Sequence, residues 1–375
     1  MNGTTLIFVF CLILAGVAQG KELITVKVAI LENLQTQKLS SEQYEKDYFT
    51  GIEVAKEDAH QKGINYIVKY FKYGTETTEF FDEVKKLKDW NPDLIIGPRT
   101  SGKFLLLKDE IKDTVVFSPL ATASAVSQMP SNFYSLTFPN EYTGEAIGST
   151  AKKLFPGKNI FELIEVDCKN CVDAAKTFET KYGSMDPTIK FKKASYLNDQ
   201  AEKIELGPLL REYKPGDIFL MANTSYTSGV MIARISDYLE KDGVTFLGND
   251  EWGSWKAGYV GKLGSKFKYR AIRVEPWSLD VKNNFLARCQ SAYSKKNDGK
   301  PLPDLISFIS CHTLNMATDL LVGKNQGAGP KETLMAALKS KLKRDPNWFR
   351  PRSYAVHELT QNGEKFITTI NVKGL

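Results

Sequence analysis

The chain has 375 residues, 42% of them hydrophobic and 25% charged, with a formal net charge of +6. That mild excess is spread among acids, as in KEDAHQKG and DEVKKLKDW, which reads as solvated helix faces and excludes a nucleic-acid-binding stripe. Beyond the first twenty residues no stretch is apolar long enough to span a membrane, the remaining length suffices for two domains, and no repeat or low-complexity segment points to a structural or adhesive role.

Residues 1–20, MNGTTLIFVFCLILAGVAQG, read as a signal peptide: an apolar run from Leu6 to Ala15, then Ala18-Gln19-Gly20 before Lys21. No Lys or Arg precedes the run, and no Cys follows the small residues, so the bacterial lipoprotein pattern is missing. A free, monomeric protein starting at Lys21 is expected outside the cytoplasm.

From there periodicities of two and 3.6 residues alternate. The spacing predicts strand 24–31, helix 48–63, strand 66–73, helix 77–90, strand 93–97, helix 101–112 and strand 114–120. A second series opens near Glu141: helix 141–155, strand 159–167, helix 172–183, strand 191–197, helix 201–213, strand 217–223, helix 227–243 and strand 244–250. Strand 269–277 then leads to helices 283–293, 303–321 and 331–342 and a hairpin-like pair, 353–359 with 365–372. Such alternation predicts an α/β fold of two doubly wound, Rossmann-like lobes with parallel-sheet cores. Since no third series of strands follows, the late helices are expected to return to the first lobe, the chain crossing about three times, near Pro139, Pro276 and Arg350-Pro351. Lobe 1 is then 21–140 plus 273–350, and lobe 2 is 141–272 plus 351–375.

Four cysteines follow the signal segment: Cys168, Cys171, Cys289 and Cys311. Cys168-x-x-Cys171, directly after a strand, is open to three readings: a local disulfide, a redox pair, or half of a metal site. The structural bridge is the preferred one. Cys289 and Cys311 fall on the apolar spacings of successive helices, which suits a second bridge.

The most informative stretch is LIIGPRTSG (94–102), an apolar strand ending in Gly97-Pro98 and a hydroxyl-bearing turn that opens a helix. Unpaired N–H groups at a helix start, with Thr100 and Ser101 beside them, suit a carboxylate. TVVFSPLATASAV (114–126) repeats the design with Ser118, Thr122 and Ser124.

In order and spacing, FTG (49–51), IIGPRTSG, SPLATA, FPNEYTGEAIG and FLGNDEWG resemble the type I periplasmic solute-binding proteins of the leucine/isoleucine/valine-binding group, receptors of ABC importers. The resemblance implies an amino acid or similar small polar ligand in the cleft between the lobes, handed to a membrane permease, in the periplasm. It implies that Ser101 and Thr122 hold the carboxylate, that the Leu120 carbonyl, the Thr122 hydroxyl and Asp250 meet the ammonium, with Ala121 in the same turn, and that Tyr44 walls the pocket. A zwitterion calls for such donors and an acid, each charge-assisted bond contributing about 1.5–3 kcal/mol.

The chain departs from the pattern in several places. Cys171 stands where an aromatic commonly stacks on the ligand, and Thr224 lies in the next turn. Arg99 either points inward toward a polar or acidic ligand side chain or is solvated, as surface-turn arginines usually are. Trp252 and Trp255 either cap the pocket or pack. No cofactor or metal is called for: the histidines are His60, His312 and His357, none in H-E-x-x-H spacing, and there is neither a G-x-S-x-G elbow nor a phosphate loop, so catalysis is not expected. The alternative to transport is a soluble sensor docking on a membrane receptor.

Overall fold

The computed structural model describes residues 23–33, 41–74, 76–185, 187–252, 268–324, 327–348, 350–351, 353–360 and 363–372. The signal segment, Trp255 and the side chain of Tyr44 lie outside the described residues. No described helix is long and apolar enough to cross a membrane.

Two sheets organise the chain. The first has five strands, β1 (Ile24–Glu32), β2 (Ile64–Lys72), β3 (Leu94–Ile96), β4 (Val115–Ser118) and β5 (Phe133–Ser135), in the order β2-β1-β3-β4-β5. All its pairings are parallel. The second contains β6 (Ile160–Glu165), β7 (Phe191–Tyr196), β8 (Ile218–Ala222), β9 (Val244–Gly248), β10 (Tyr269–Glu275), β11 (Tyr354–Thr360) and β12 (Gly363–Ile370), in the order β12-β11-β10-β9-β8-β6-β7. Its β7-β6-β8-β9-β10 portion is parallel and repeats the order of the first sheet, and β11 and β12 extend it antiparallel. The central strands β3, β4, β8 and β9 are nearly all buried because helices cover both faces, whereas the edge strands β2 and β7 keep exposed lysines.

Helices α1 (Ser41–Gln61), α2 (Thr77–Trp90) and α3 (Ser101–Leu106) connect the first sheet, and α4 (Asn140–Leu154), α5 (Lys169–Met185), α6 (Gly207–Leu210) and α7 (Ser225–Leu239) the second. The late helices α8 (Asn284–Lys296), α9 (Leu305–Leu321) and α10 (Pro330–Arg344) pack on the first sheet, sharing one buried core with Val28, Ile30, Ile52 and Phe117. Helix α9 is buried on nearly every side and lies against α1. Gly51 permits that approach, since a Cβ there would sit 2.1 Å from the Ser307 carbonyl oxygen. The Ser310 hydroxyl donates to the Tyr48 carbonyl at 2.9 Å in the same contact.

The expected elements differ from the observed ones in specific places. Helix 201–213 shrinks to α6, because Pro208 has no N–H to donate to the residue four before it and is accommodated only in the first turn of a helix, where it stands here. Helix 101–112 is α3 followed by a 3-10 turn, Leu107–Asp109. β5 has no counterpart among the expected elements, and the expected 272/273 boundary falls inside β10, which continues to Glu275. Bridges join Cys168 to Cys171 and Cys289 to Cys311.

Candidate functional site

In a parallel sheet of order 2-1-3-4-5 a crevice opens at the carboxyl ends of the two central strands from which the chain winds in opposite directions. Here those places are β1/β3 in the first sheet and β6/β8 in the second. The turn after β3 carries Arg99, Thr100 and Ser101, and the turn after β4 carries Leu120, Ala121 and Thr122. Past β6, β8 and β9 stand Cys171 in the first turn of α5, Thr224 at the start of α7, and Asp250 and Trp252 in a 3-10 turn. The candidate residues thus fall at the carboxyl ends of the two sheets.

Hydrogen bonds stitch the first-sheet turns together. The Ser101 oxygen accepts from the amides of Thr122 and Ala123, each at 3.0 Å. The Ser118 hydroxyl donates to the Pro98 carbonyl at 2.7 Å and accepts from the Ala121 amide at 3.1 Å, and Ser135 donates to the Ala121 carbonyl at 2.6 Å. Ser118 is therefore committed to the scaffold. Gly97 is required where it stands: its φ is +97°, and a Cβ would meet the Leu31 carbonyl oxygen at 2.2 Å. Thr100 is the exposed N-cap of α3 and makes no side-chain cap bond.

Beneath this turn, at the end of β1, lies Glu32, 1% exposed. Neither of its oxygens finds a hydrogen bond of normal geometry among the described residues. Burial pushes the carboxyl up to about 8, with the charge of Arg99 and the amides of Arg99 and Asn33 offsetting only part of that effect. Arg99 is not a solvated surface residue: its side chain is 13% exposed and its Nε lies 4.0 Å from Glu32.

On the second sheet the crevice is occupied by the chain itself. Glu165, the last residue of β6, accepts from the Thr224 amide at 2.8 Å, the Thr224 hydroxyl at 3.0 Å, the Thr227 hydroxyl at 2.6 Å and the Asn198 side-chain amide at 2.8 Å. Thr224 is the N-cap of α7, so Glu165 fills the place at that helix start where an anion would sit. The Thr224 hydroxyl is correspondingly engaged within the protein. Trp252 is fully buried in the second core, its indole N–H donating to Asn223 at 3.3 Å and its ring lying over Gly248. Cys171 is also fully buried, against Ala175 and Ala222.

Asp250 is half-buried, and its charge adds to the burial that holds the Tyr354 hydroxyl well above the usual phenol range. Tyr354 is 3.4 Å from the Thr143 hydroxyl and stacks on Phe138, which places Asp250 near the segments that pass between the sheets. Arg350 bridges two of those segments, lying over the rings of Tyr134 and Phe138 and donating to the Ser135 carbonyl at 3.3 Å. Across the strand ends, the Ser124 hydroxyl meets the Asp173 carboxylate at 3.5 Å. Asp173 and Glu165 escaped the sequence reading. Glu165 closes β6, a strand that also carries Glu162, and Asp173 is the fifth residue of α5, so residue type alone marks neither position.

Glu275, His357 and Glu364 bring three ligand-type atoms together, with His357 3.0 Å from Glu275 and from Asp280. Arg273 already serves this cluster as its cation, at 2.9 Å from Glu275 and 2.6 Å from Glu364. Burial would lower the His357 pKa, but Glu275 and Asp280 outweigh it and raise the value.

No protein-family profile and no curated protein sequence matches the chain. Solved structures do. A leucine-binding protein from Thermotoga maritima superposes with a TM-score of 0.72 at 16% identity, covering 93% of this chain and 100% of its own. A branched-chain amino acid transporter substrate-binding protein from Streptococcus pneumoniae, in complex with isoleucine, gives 0.68 at 14% identity, covering 93% and 99%. A solute-binding protein of an ABC transporter from R. palustris, in complex with 4-hydroxybenzoate, gives 0.68 at 11% identity, covering 93% and 98%. The chain therefore has the fold of the type I periplasmic solute-binding proteins.

Proposed function

We propose that this is an exported solute-binding protein that captures an amino acid, or a similar small zwitterion, by closing a cleft between its two lobes, and passes it to an ABC-type importer. The observation that carries the reading is the state of Ser101. With both lone pairs taken by the amides of Thr122 and Ala123, its hydroxyl can only donate, and a ligand carboxylate is the natural acceptor. Thr122 and the Leu120 carbonyl stand beside it, and Asp250 at the end of the second sheet supplies the counter-charge for an ammonium group. A ligand that touches both lobes stabilises the closed state because the open state lacks half of its contacts.

The reading places the mature start at Lys21 and the lobes at 21–140 plus 273–350 and 141–272 plus 351–375, with the crossing expected at 272/273 moved to just after Glu275, the end of β10. Arg99 adds a positive group beside the carboxylate site, which suits a ligand whose side chain is polar or acidic. A thermal-shift screen over amino acids, small amides, and aliphatic and aromatic carboxylic acids tests the proposal. Stabilisation by an amino acid supports it. Stabilisation only by acids without an amine, such as benzoates, shows that the ammonium half is wrong.

A further inference from the structure

We propose that Cys168–Cys171 is a thiol–disulfide exchange site, open to dithiol reductants at the carboxyl edge of the second sheet, whereas Cys289–Cys311 is a permanent staple. The two bridges differ in surroundings. Cys289 and Cys311 are both fully buried between α8 and α9, and the side-chain amide of Asn315 lies 3.4 Å from each sulfur. Cys168 is half-buried in the turn between β6 and α5, while Cys171 behind it is fully buried. An incoming thiolate therefore has one sulfur to attack.

The local backbone also suits the reduced state. Cys168 immediately precedes α5, its carbonyl accepts the Val172 amide at 3.1 Å, and its sulfur accepts the Cys171 amide at 3.3 Å. A thiolate at that position keeps the amide donor and the positive end of a seventeen-residue helix, the setting that lowers cysteine pKa values. In the exchange, a dithiol's thiolate attacks the Cys168 sulfur, the S–S bond breaks, and Cys171 leaves as a thiolate that takes a proton. The second thiol of the reagent then closes its own disulfide and releases Cys168. Two electrons and two protons pass to the protein, and the dithiol is oxidised. Asp173 follows Cys171 by two residues on α5, so the bridge anchors the helix start that carries the group meeting Ser124.

The test uses the full mature chain with both bridges formed and no denaturant. Graded dithiothreitol is followed by iodoacetamide and peptide mapping, with circular dichroism reporting the fold. Expected is alkylation of Cys168 and Cys171 at reductant concentrations at least about tenfold below those that open Cys289–Cys311, with the fold retained. In Cys171→Ser, Cys168 should alkylate with a half-maximal pH clearly below about 8.5, the value of an ordinary thiol. Both bridges opening together, a closed Cys168–Cys171 bridge in folded protein, or an ordinary pH profile for Cys168 overturns the proposal. None of these readouts depends on a solute, so they stand apart from the transport reading.

Discussion

The hydroxyl oxygen of Ser101 lies 3.0 Å from the amide nitrogen of Thr122, so a side chain at the start of α3 is fixed by the turn that follows the neighbouring strand. With the Ala123 amide on its other side, this oxygen joins turns whose bonded residues lie 21 and 22 positions apart in sequence, at the ends of two strands paired in the sheet. A rigid donor results, positioned before any ligand arrives.

Replacing Ser101 by Ala removes that acceptor and leaves two amides without it. The variant should lose about 1–2 kcal/mol of stability and also bind the screened ligand more weakly. Chemical denaturation and calorimetry on the same preparation separate the two effects. Full stability would mean that water replaces the lost bonds, and unchanged affinity would remove Ser101 from the site.

Glu165 is held by four donors, so Glu165→Ala should destabilise the second sheet by about 2–3 kcal/mol through stranded donors at Thr224, Thr227 and Asn198. Glu165→Gln keeps the shape but turns an acceptor into a donor and should recover only part of the loss. Urea unfolding of both variants checks this. A neutral Glu165→Ala result would show that the network contributes nothing net.

Stability should fall as pH rises from about 5 to 8. Glu32, raised from 4.5 to about 8, is protonated in the folded chain and ionised in the unfolded one throughout that window, so the folded state holds the extra proton. The slope from this group approaches about 1.4 kcal/mol per pH unit. Glu162, raised by burial, and His357, raised by its carboxylate neighbours, act in the same direction, so the comparison with Glu32→Gln isolates one group. The variant should show a flatter pH dependence by close to one proton. Parallel curves for the two proteins would contradict the assignment.

Gly51→Ala should cost about 2 kcal/mol or more, because the added carbon meets the backbone of α9 at Ser307 and Cys311 as well as the Ser310 hydroxyl. Thermal melting measures it. A wild-type midpoint would mean that α1 and α9 separate easily.

Most of the fold was legible because the apolar strands and amphipathic helices alternate with clear periods, and the helix 77–90 matches α2 residue for residue. The failures have local causes. Phe133-Tyr134-Ser135 is too short to show an alternation, and the apolar spacing across 201–213 hid the effect of Pro208. The first-sheet half of the candidate geometry was legible, because its glycine, proline and hydroxyl residues sit in two short turns at neighbouring strand ends, which Ser101 joins. The second-sheet half was not, because Thr224 and Trp252 read equally well as ligand groups or as scaffold. Only the partners Glu165 and Asn223, distant in sequence, show that their polar groups are engaged internally.

The most direct test of the account is titration calorimetry of the screened ligand against the wild-type chain and Asp250→Ala. Loss of the counter-charge should weaken binding by about 2 kcal/mol, roughly thirtyfold, with the unfolding midpoint little changed. Wild-type affinity in the variant, or a tight ligand without an amine, would contradict a zwitterion held between the two lobes.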